Sequence, residues 1–141
     1  MEILTIDLIK DVHRLIKQSV DEKARVPKTV KNLTQVQIIY YLTTNKDKVV
    51  YQKDIGEALR LKKSSITEHL DYLEDVGYIE RVQEENDKRK NSIKLSAEAL
   101  KKENEIQAVL KELNAKAIRD ISPKELETFE KIIRKMEENL K

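Results

Sequence analysis

The stretch between Gln52 and Asn91 constrains the fold of this chain more than any other part of the sequence. Ile55 and Leu59 lie four residues apart, as on one face of a short helix. A second apolar stripe follows at helical spacing and consists of Ile66, Leu70 and Leu73. Leu61 lies between the two stripes, where a tight turn is expected. The spacing predicts two short helices packed against each other, a helix-turn-helix.

Both glycines of the chain, Gly56 and Gly77, fall in this stretch. The second helix must cross close to the first at Gly56, and a residue without a side chain permits that approach. Gly77 follows the last turn of the second helix, where a left-handed residue commonly ends a helix. Two segments that favour strands, 78–82 and 92–96, then flank a polar tip. We therefore expect a β-hairpin, the wing, directly after the two helices.

The face of the second helix that points away from the apolar stripe is polar. At about 100° per residue, Ser64, Thr67, Glu68 and Asp71 point outward and Ser65 lies at the edge. The short side chains of Ser64, Ser65 and Thr67 suit contact with base edges, and Glu68 can accept a hydrogen bond from a cytosine amino group. Ser65 and Glu68 fit a capping box equally well, so both interpretations stay open.

Two basic clusters flank this polar face, although the net charge of the chain is only +2. Arg60, Lys62 and Lys63 come just before the second helix, where the helix dipole disfavours cations, and we expect Lys62 and Lys63 to neutralise phosphates. The other cluster forms the wing tip: Lys88, Arg89 and Lys90. We expect Arg89 to enter a minor groove and Asp87 to orient it. Taken alone, such a tip is more typical of a solvated charge run, but its place behind a helix-turn-helix favours contact with a groove.

Short motifs in and around this stretch resemble those of the MarR family of winged-helix transcriptional regulators. In chain order they are Leu33-Thr34-x-x-Gln37, the helix-turn-helix of 52–73, Leu73-Glu74-x-x-Gly77-Tyr78-Ile79-Glu80-Arg81, Asp87-x-Arg89 and Leu95-Ser96-x-Glu98. Each motif is weak alone, but their order and spacing make the set fairly specific. The resemblance implies a homodimer that binds a near-palindromic operator in double-stranded DNA and that a small ligand or an oxidant often releases.

The sequence departs from the family pattern at four positions. Arg60 stands where family members commonly carry a turn glycine, and Ala99 stands where a glycine frequently follows the wing. Glu68 and Tyr72 stand where arginine is often found, so the family's contacts to bases and phosphates do not carry over at these two positions. The operator sequence therefore stays open.

Amphipathic helices are predicted on both sides of the winged helix. Residues 3 to about 24 form the first, a helix from Ser96 to about Asp120 follows the wing, and a capping box at Ser122-Pro123-x-Glu125 starts the last. The apolar seam of the last helix consists of Leu126, Phe129, Ile133, Met136 and Leu140. We expect this seam to form a dimer interface with Ile6 and Ile9 of the first helix. Packing within the chain's own core is the alternative.

A supporting helix and a brief strand are expected before the helix-turn-helix. Thr34 and Gln37 fit a capping box that starts a helix ending before Asn45. Residues 49–51 fit a third strand beside the wing. Tyr40 and Tyr41 are expected to pack in the core, and the alternative places them around a small-molecule cavity.

These patterns predict a mainly α fold with a small β-hairpin wing (α+β), namely a winged helix-turn-helix with long N- and C-terminal dimerisation helices. The expected division is an N-terminal dimerisation helix and linker at 1–32, a DNA-binding domain at 33–95 and C-terminal dimerisation helices at 96–141. We expect a sequence-specific regulator, a repressor that a small molecule relieves, with the recognition helix in the major groove and the wing in the minor groove. The alternative is a winged-helix module that binds protein and does not contact DNA.

Composition argues against several other classes of protein. The chain has no cysteine, which excludes disulfides, thiolate metal sites and a cysteine-based redox sensor. Two glycines cannot build a phosphate loop, and His13 and His69 lack any surrounding motif, so we expect no enzyme, no metal and no cofactor. A metal-dependent repressor is a weaker alternative. Because the sequence shows neither a secretory signal nor an apolar run of membrane-spanning length, we expect a cytoplasmic protein without membrane contact.

Overall fold

Helices form most of the chain, and a small sheet lies near its middle. A computed structural model describes residues 2–23, 30–87 and 90–141, with the side chains of residues 21–23 excepted. The elements within these ranges are α1 Thr5–Lys23, α2 Leu33–Thr44, β1 Val50–Tyr51, α3 Gln52–Leu59, α4 Lys63–Asp75, β2 Ile79–Gln83, β3 Asn91–Leu95, α5 Ala97–Lys101, α6 Glu103–Ala117 and α7 Pro123–Leu140. The predicted winged helix with flanking helices is confirmed.

The hydrophobic core lies where α2, α3 and α4 meet the sheet. Its largest fully buried side chains are Ile38, Ile39, Ile55, Ile66, Leu70, Leu73, Ile79 and Val20. The stripes predicted for the two helices of the helix-turn-helix are among them, while Leu59 and Leu61 pack against this core from its edge. Truncating a buried leucine or isoleucine of this kind to alanine costs about 2–5 kcal/mol. The core therefore fixes α4 on the rest of the winged helix.

The wing is part of a three-stranded antiparallel sheet with the strand order β1-β3-β2. In the register of the hairpin, Ile79 lies opposite Leu95 and Arg81 lies opposite Ile93. The short strand β1 pairs with the other side of β3, with Val50 opposite Ile93. The brief third strand predicted beside the wing is thus confirmed. It anchors the start of α3 to the base of the wing.

Two special backbone positions shape the helix-turn-helix. A Cβ atom on Gly56 would lie 3.3 Å from Ile66 Cδ1 and 3.6 Å from the Leu61 carbonyl oxygen, so the predicted close approach is confirmed. Gly77 has a φ of 81° after the last turn of α4, as predicted. Arg60, which ends α3, also adopts the left-handed conformation, with φ 55° and ψ 48°. For a residue with a Cβ this conformation costs roughly 1–2 kcal/mol.

The start of α2 differs from the prediction. Asn32 is the N-cap, and its side chain accepts a hydrogen bond from the Gln35 backbone N–H over 3.0 Å. The Gln35 side chain in turn accepts from the Lys31 N–H over 2.9 Å. The capping box predicted for Thr34 and Gln37 is therefore wrong, because Asn32 is a better cap and lies two residues earlier.

The single helix predicted from Ser96 to Asp120 is also wrong in part. Ser96 does cap its first turn, since its hydroxyl oxygen accepts from the Ala99 N–H over 3.1 Å. The helix is interrupted at Lys102, which has φ −108° and ψ 9°, and the second piece ends at Ala117. The sequence around Lys102 contains no proline or glycine that would signal this break.

The last helix starts where the sequence predicts. Ser122 Oγ accepts from the Glu125 N–H over 3.1 Å, and Glu125 Oε1 accepts from the Ser122 N–H over 2.9 Å. The seam of α7 is not covered, because none of its residues is buried and the Phe129 side chain is 60% exposed. Within the described chain, this seam therefore does not pack against the hydrophobic core. None of the described helices is long and apolar enough to cross a membrane.

Candidate nucleic-acid interface

The outward face of α4 presents the polar residues that its periodicity predicts. Ser64, Glu68 and Asp71 are exposed, while Ser65 and Thr67 are half-buried at the edges of the face. The N-cap of α4 is Lys62, so Ser65 is the third residue of the helix and not its cap. The capping-box interpretation of Ser65 and Glu68 is therefore wrong, and both side chains are left for other contacts.

The hydroxyl of Thr67 is already engaged within the protein. It donates to the Lys63 carbonyl oxygen over 2.8 Å and accepts from Gln52 Nε2 over 2.8 Å. A hydroxyl has one hydrogen and two lone pairs, so Thr67 has one lone pair and its methyl group left for a ligand. Gln52 was not among the predicted site residues, because its partner lies on the other helix and no local pattern in the sequence marks the contact.

The beginning of α4 is electropositive. Lysine cannot accept a hydrogen bond from the first-turn N–H groups, and the Lys62 side chain makes no cap. The exposed side chains of Lys62 and Lys63 stand at the same end of the helix. Because unpaired N–H groups and the helix dipole favour an anion at this end, the arrangement suits phosphate.

One of the two acidic residues of the outward face, Asp71, is paired. Asp71 Oδ1 accepts from Arg81 Nη2 over 2.7 Å, and the Arg81 side chain on β2 is only 22% exposed. This ion pair joins α4 to the wing and offsets one of the negative charges beside the polar face. Arg81 was not among the predicted site residues. Its partner is ten residues away on a different element, so spacing along the sequence gives no signal for it.

The base of the wing is held by β1. The Tyr51 hydroxyl donates to Glu84 Oε1 over 3.2 Å, and Lys90 Nζ lies 5.9 Å from the centre of the Tyr51 ring. Burial raises the pKa of Tyr51, and the hydrogen bond to Glu84 raises it further, so the hydroxyl stays protonated at neutral pH. The Glu84 N–H also donates to the Lys90 carbonyl oxygen over 3.0 Å. These contacts fix where the wing leaves the sheet.

The tip of the wing is only partly covered by the structure. Lys90 is exposed, and its backbone N–H donates to the Asp87 carbonyl oxygen over 3.0 Å. The predicted groove contacts of Lys88 and Arg89 lie outside the described residues. The predicted support of Arg89 by Asp87 falls outside them for the same reason.

The opposite side of α4 packs on the start of α2. Gln35 Nε2 lies 3.4 Å from His69 Nδ1, so a contact within the protein orients the His69 ring. The ammonium of Lys31 lies 4.4 Å from the centre of the Tyr72 ring. Tyr72 stands where the family resemblance leads one to expect an arginine. Its ring instead binds a cation from another element by a cation–π contact.

A groove of about 720 Å³ runs between α3, α4 and the sheet. Lys63, Arg81 and Lys90 line it together with the acidic residues Asp54 and Glu57. Within the part of the chain that the structure describes, no group of three or more histidine, aspartate or glutamate side chains is arranged to hold a metal ion.

A helix-turn-helix with an exposed polar second helix, followed by a hairpin wing, defines a winged-helix protein. Residues 32–90 match the model of the MarR family. The fold extends this likeness beyond the matched residues, over both flanking helical regions. The part of the chain that matches the MarR family therefore runs from the N-cap of α2 to the wing.

Solved structures of MarR-type regulators share the fold. The S. aureus MepR-DNA complex has a TM-score of 0.88 at 22% identity, covering 99% of this chain and 100% of that chain. The transcription regulator MarR from Oenococcus oeni PSU-1 has a TM-score of 0.81 at 28% identity, covering 94% and 97%. The heme sensor protein PefR from Streptococcus agalactiae, in complex with heme, has a TM-score of 0.63 at 23% identity, covering 94% and 88%. The first of these structures is a complex with DNA, the second is of a transcription regulator, and the third is of a heme sensor in complex with heme.

Proposed function

We propose that this chain is a sequence-specific, double-stranded DNA-binding transcriptional regulator that acts as a homodimer. The observation that carries the proposal is the exposed polar face of α4, which begins at an uncapped, lysine-bearing helix end. In the proposed complex α4 enters the major groove and the wing reaches the minor groove. The proposed contact residues are Lys62, Lys63, Ser64, Ser65, Thr67, Glu68, Lys88, Arg89 and Lys90.

The dimer is proposed from the uncovered apolar surface of the flanking helices. Ile6 and Ile9 of α1 are exposed, as is Phe129 of α7. Leu126, Ile133 and Met136 are only half-buried, and Leu140 is exposed. Apolar side chains that lie exposed together on a helix face are typical of a protein interface. A two-fold pair of chains presents two copies of α4, which calls for an operator with two half-sites about one helical turn apart.

A repressor that a small molecule relieves is the form of regulation we propose. The family resemblance supports it, and so does the likeness to PefR, a protein described as a heme sensor in complex with heme. A ligand acts in this way only if it binds the DNA-competent and the released arrangements with different affinity. The chemical class of an effector for this chain is left open.

A protein-binding winged helix is the competing function, and acidic residues near the polar face are its support. Two of them are already engaged, because Asp71 pairs with Arg81 and Glu84 accepts a hydrogen bond from Tyr51. Glu68 is exposed, and it suits a cytosine amino group as well as a basic protein. The pairing of Asp71 and Glu84 favours DNA as the partner.

Selection of duplexes from a random pool tests the proposal. The full chain is incubated with the pool at moderate salt, bound duplexes are amplified, and enriched sequences are read after several rounds. We expect an enriched two-fold motif and a complex that contains two chains per duplex. A folded, dimeric chain that enriches no sequence over the pool contradicts the proposal and favours the protein-binding alternative.

A further inference from the structure

The turn of the helix-turn-helix is joined to the last helix by an ion pair. The Arg60 guanidinium donates to Glu137 of α7, a residue 77 positions away in the sequence. Glu137 also accepts from Arg134 over 2.8 Å, and its side chain is only 24% exposed. The hydrogen bond from Arg60 lowers the pKa of Glu137, so its carboxylate is charged at neutral pH.

Few other contacts fix α7 against the winged helix. None of the α7 side chains is buried, and within the described chain no other element packs extensively along it. The ion pair between Arg60 and Glu137 therefore contributes strongly to the orientation of α7 relative to the winged helix of the same chain.

The backbone at Arg60 is held by hydrogen bonds within the turn. Its N–H and that of Leu61 both donate to the Gly56 carbonyl oxygen, the latter over 3.0 Å. Gly56 packs against the buried side chain of Ile66 on α4. Because the turn is closed in this way, the backbone that carries the Arg60 side chain is fixed relative to the start of α4.

We propose that Arg60 is a positioning residue, whose ion pair with Glu137 sets the orientation of the recognition helix α4 relative to α7. The proposal rests on the proposed function in so far as that orientation presents α4 to DNA. It also gives a reason for an arginine in a left-handed turn, where the backbone alone favours glycine. The side chain makes a contact that glycine cannot make.

Distance measurement between spin labels on α4 and α7 tests this proposal. The chain has no cysteine, so Glu74→Cys and Lys124→Cys, both at exposed positions, give two clean labelling sites. Labelled chain is diluted into an excess of unlabelled chain, so that double electron-electron resonance reads distances within one chain. We expect a narrow distribution with Arg60, and a shifted or broadened one after Arg60→Gln.

Two further variants separate positioning from a general loss of charge. Arg60→Lys keeps the cation and is expected to restore most of the narrow distribution. Lys53→Gln removes an exposed ion pair with Glu57 on α3 that does not reach α7, and it is expected to leave the distribution unchanged. If Arg60→Gln does not fold, Glu137→Gln removes the same ion pair from the other side.

An Arg60→Gln distribution that coincides with the parent distribution overturns the proposal. So does an equal change in Lys53→Gln, because the effect is then not specific to Arg60. The measurement uses no DNA and needs no dimer. A failure to bind DNA therefore counts against the proposed function alone, and an unchanged distance counts against the positioning role alone.

Discussion

Gln52 and Thr67 join the two helices of the helix-turn-helix, with Gln52 Nε2 donating to Thr67 Oγ over 2.8 Å. The Thr67 hydroxyl hydrogen is meanwhile directed at the Lys63 carbonyl oxygen. Two consequences follow. Thr67 offers DNA a methyl group and one lone pair, which suits a thymine methyl better than a base acceptor. The half-exposed amide of Gln52 keeps its oxygen and one N–H for a contact of its own.

Thr67→Val is expected to destabilise the chain more than a matched substitution elsewhere. Thr128 on α7 makes the same bond to the carbonyl four residues earlier, over 3.1 Å, and within the described residues its hydroxyl does not bond to a second helix. Thr128→Val is therefore the control, and we expect Thr67→Val to cost about 1 kcal/mol more, one typical hydrogen bond. Urea denaturation of both variants measures the difference. Equal losses would mean that the bond from Gln52 contributes nothing to stability.

Removing a phosphate-contacting lysine is expected to change the salt dependence of DNA binding. Lys62→Ala and Lys63→Ala should each make the slope of log K against log salt concentration shallower by about one unit. Fluorescence anisotropy with a selected duplex, over a series of salt concentrations, measures the slope. Lys111→Ala removes an exposed cation from α6 and serves as the control, since it should leave the slope unchanged. A slope that Lys62→Ala leaves intact removes Lys62 from the interface.

Gly56 and Ile66 are expected to be energetically coupled. The Cβ of Gly56→Ala would lie 3.3 Å from Ile66 Cδ1, which is buried and has little room to move. Ile66→Val deletes that Cδ1 atom and on its own costs about 0.5–1.5 kcal/mol. In the Gly56→Ala background we expect Ile66→Val to cost less, because it also relieves the contact. A double-mutant cycle by denaturation measures this, and strict additivity would contradict the close packing.

The capping box of α7 is expected to weaken in acid. The hydrogen bond from the Ser122 backbone N–H, followed by that with its side chain, lowers the pKa of Glu125 below its ordinary value of 4.5. A lowered folded-state pKa means that the stabilisation is fully present above about pH 4.5. It is lost as the pH falls through the lowered pKa. An NMR titration of the Glu125 carboxyl carbon measures the pKa, and Ser122→Gly should raise it. An ordinary pKa in the parent chain would mean that the box does not form in solution.

A charge in the seam of α7 is expected to dissociate the dimer. Phe129→Glu places a carboxylate on an apolar side chain that is 60% exposed in the single chain, so the fold of the chain itself should survive. Light scattering should then report monomers, with the far-UV circular dichroism little changed. Lys124→Glu, which lies on another face of α7, is the matched control and should remain dimeric. If the Phe129→Glu variant remains dimeric, the dimer interface does not include the seam of α7.

Periodicity was sufficient for the parts of the fold that repeat. Ile66, Leu70 and Leu73 follow the helical period, and Gly77 marks where α4 ends, so this helix and its outward face were predicted correctly. The box at Ser122 was predicted because its cap, proline and glutamate all stand within four residues. The division of the chain at 1–32, 33–95 and 96–141 stays a prediction, as do the roles of the individual contact residues.

The errors have identifiable physical causes. Two overlapping patterns compete at the start of α2, and the asparagine at 32 caps more effectively than Thr34. The interruption at Lys102 has no glycine or proline to mark it. Two ion pairs that were not predicted, Asp71 with Arg81 and Arg60 with Glu137, join different elements. Contacts of that kind depend on the tertiary fold, and no local period in the sequence records them.

The uncovered seam of α7 also affects how the amount of paired chain depends on the total concentration of the chain. If only a paired chain occupies the operator, then at concentrations below the dissociation constant of the pair the amount of active species rises with the square of the amount of chain. A modest fall in copy number then produces a disproportionate loss of operator occupancy. Under the proposed function, the uncovered face of this helix would thereby make operator occupancy sensitive to how much of the chain the cell synthesises.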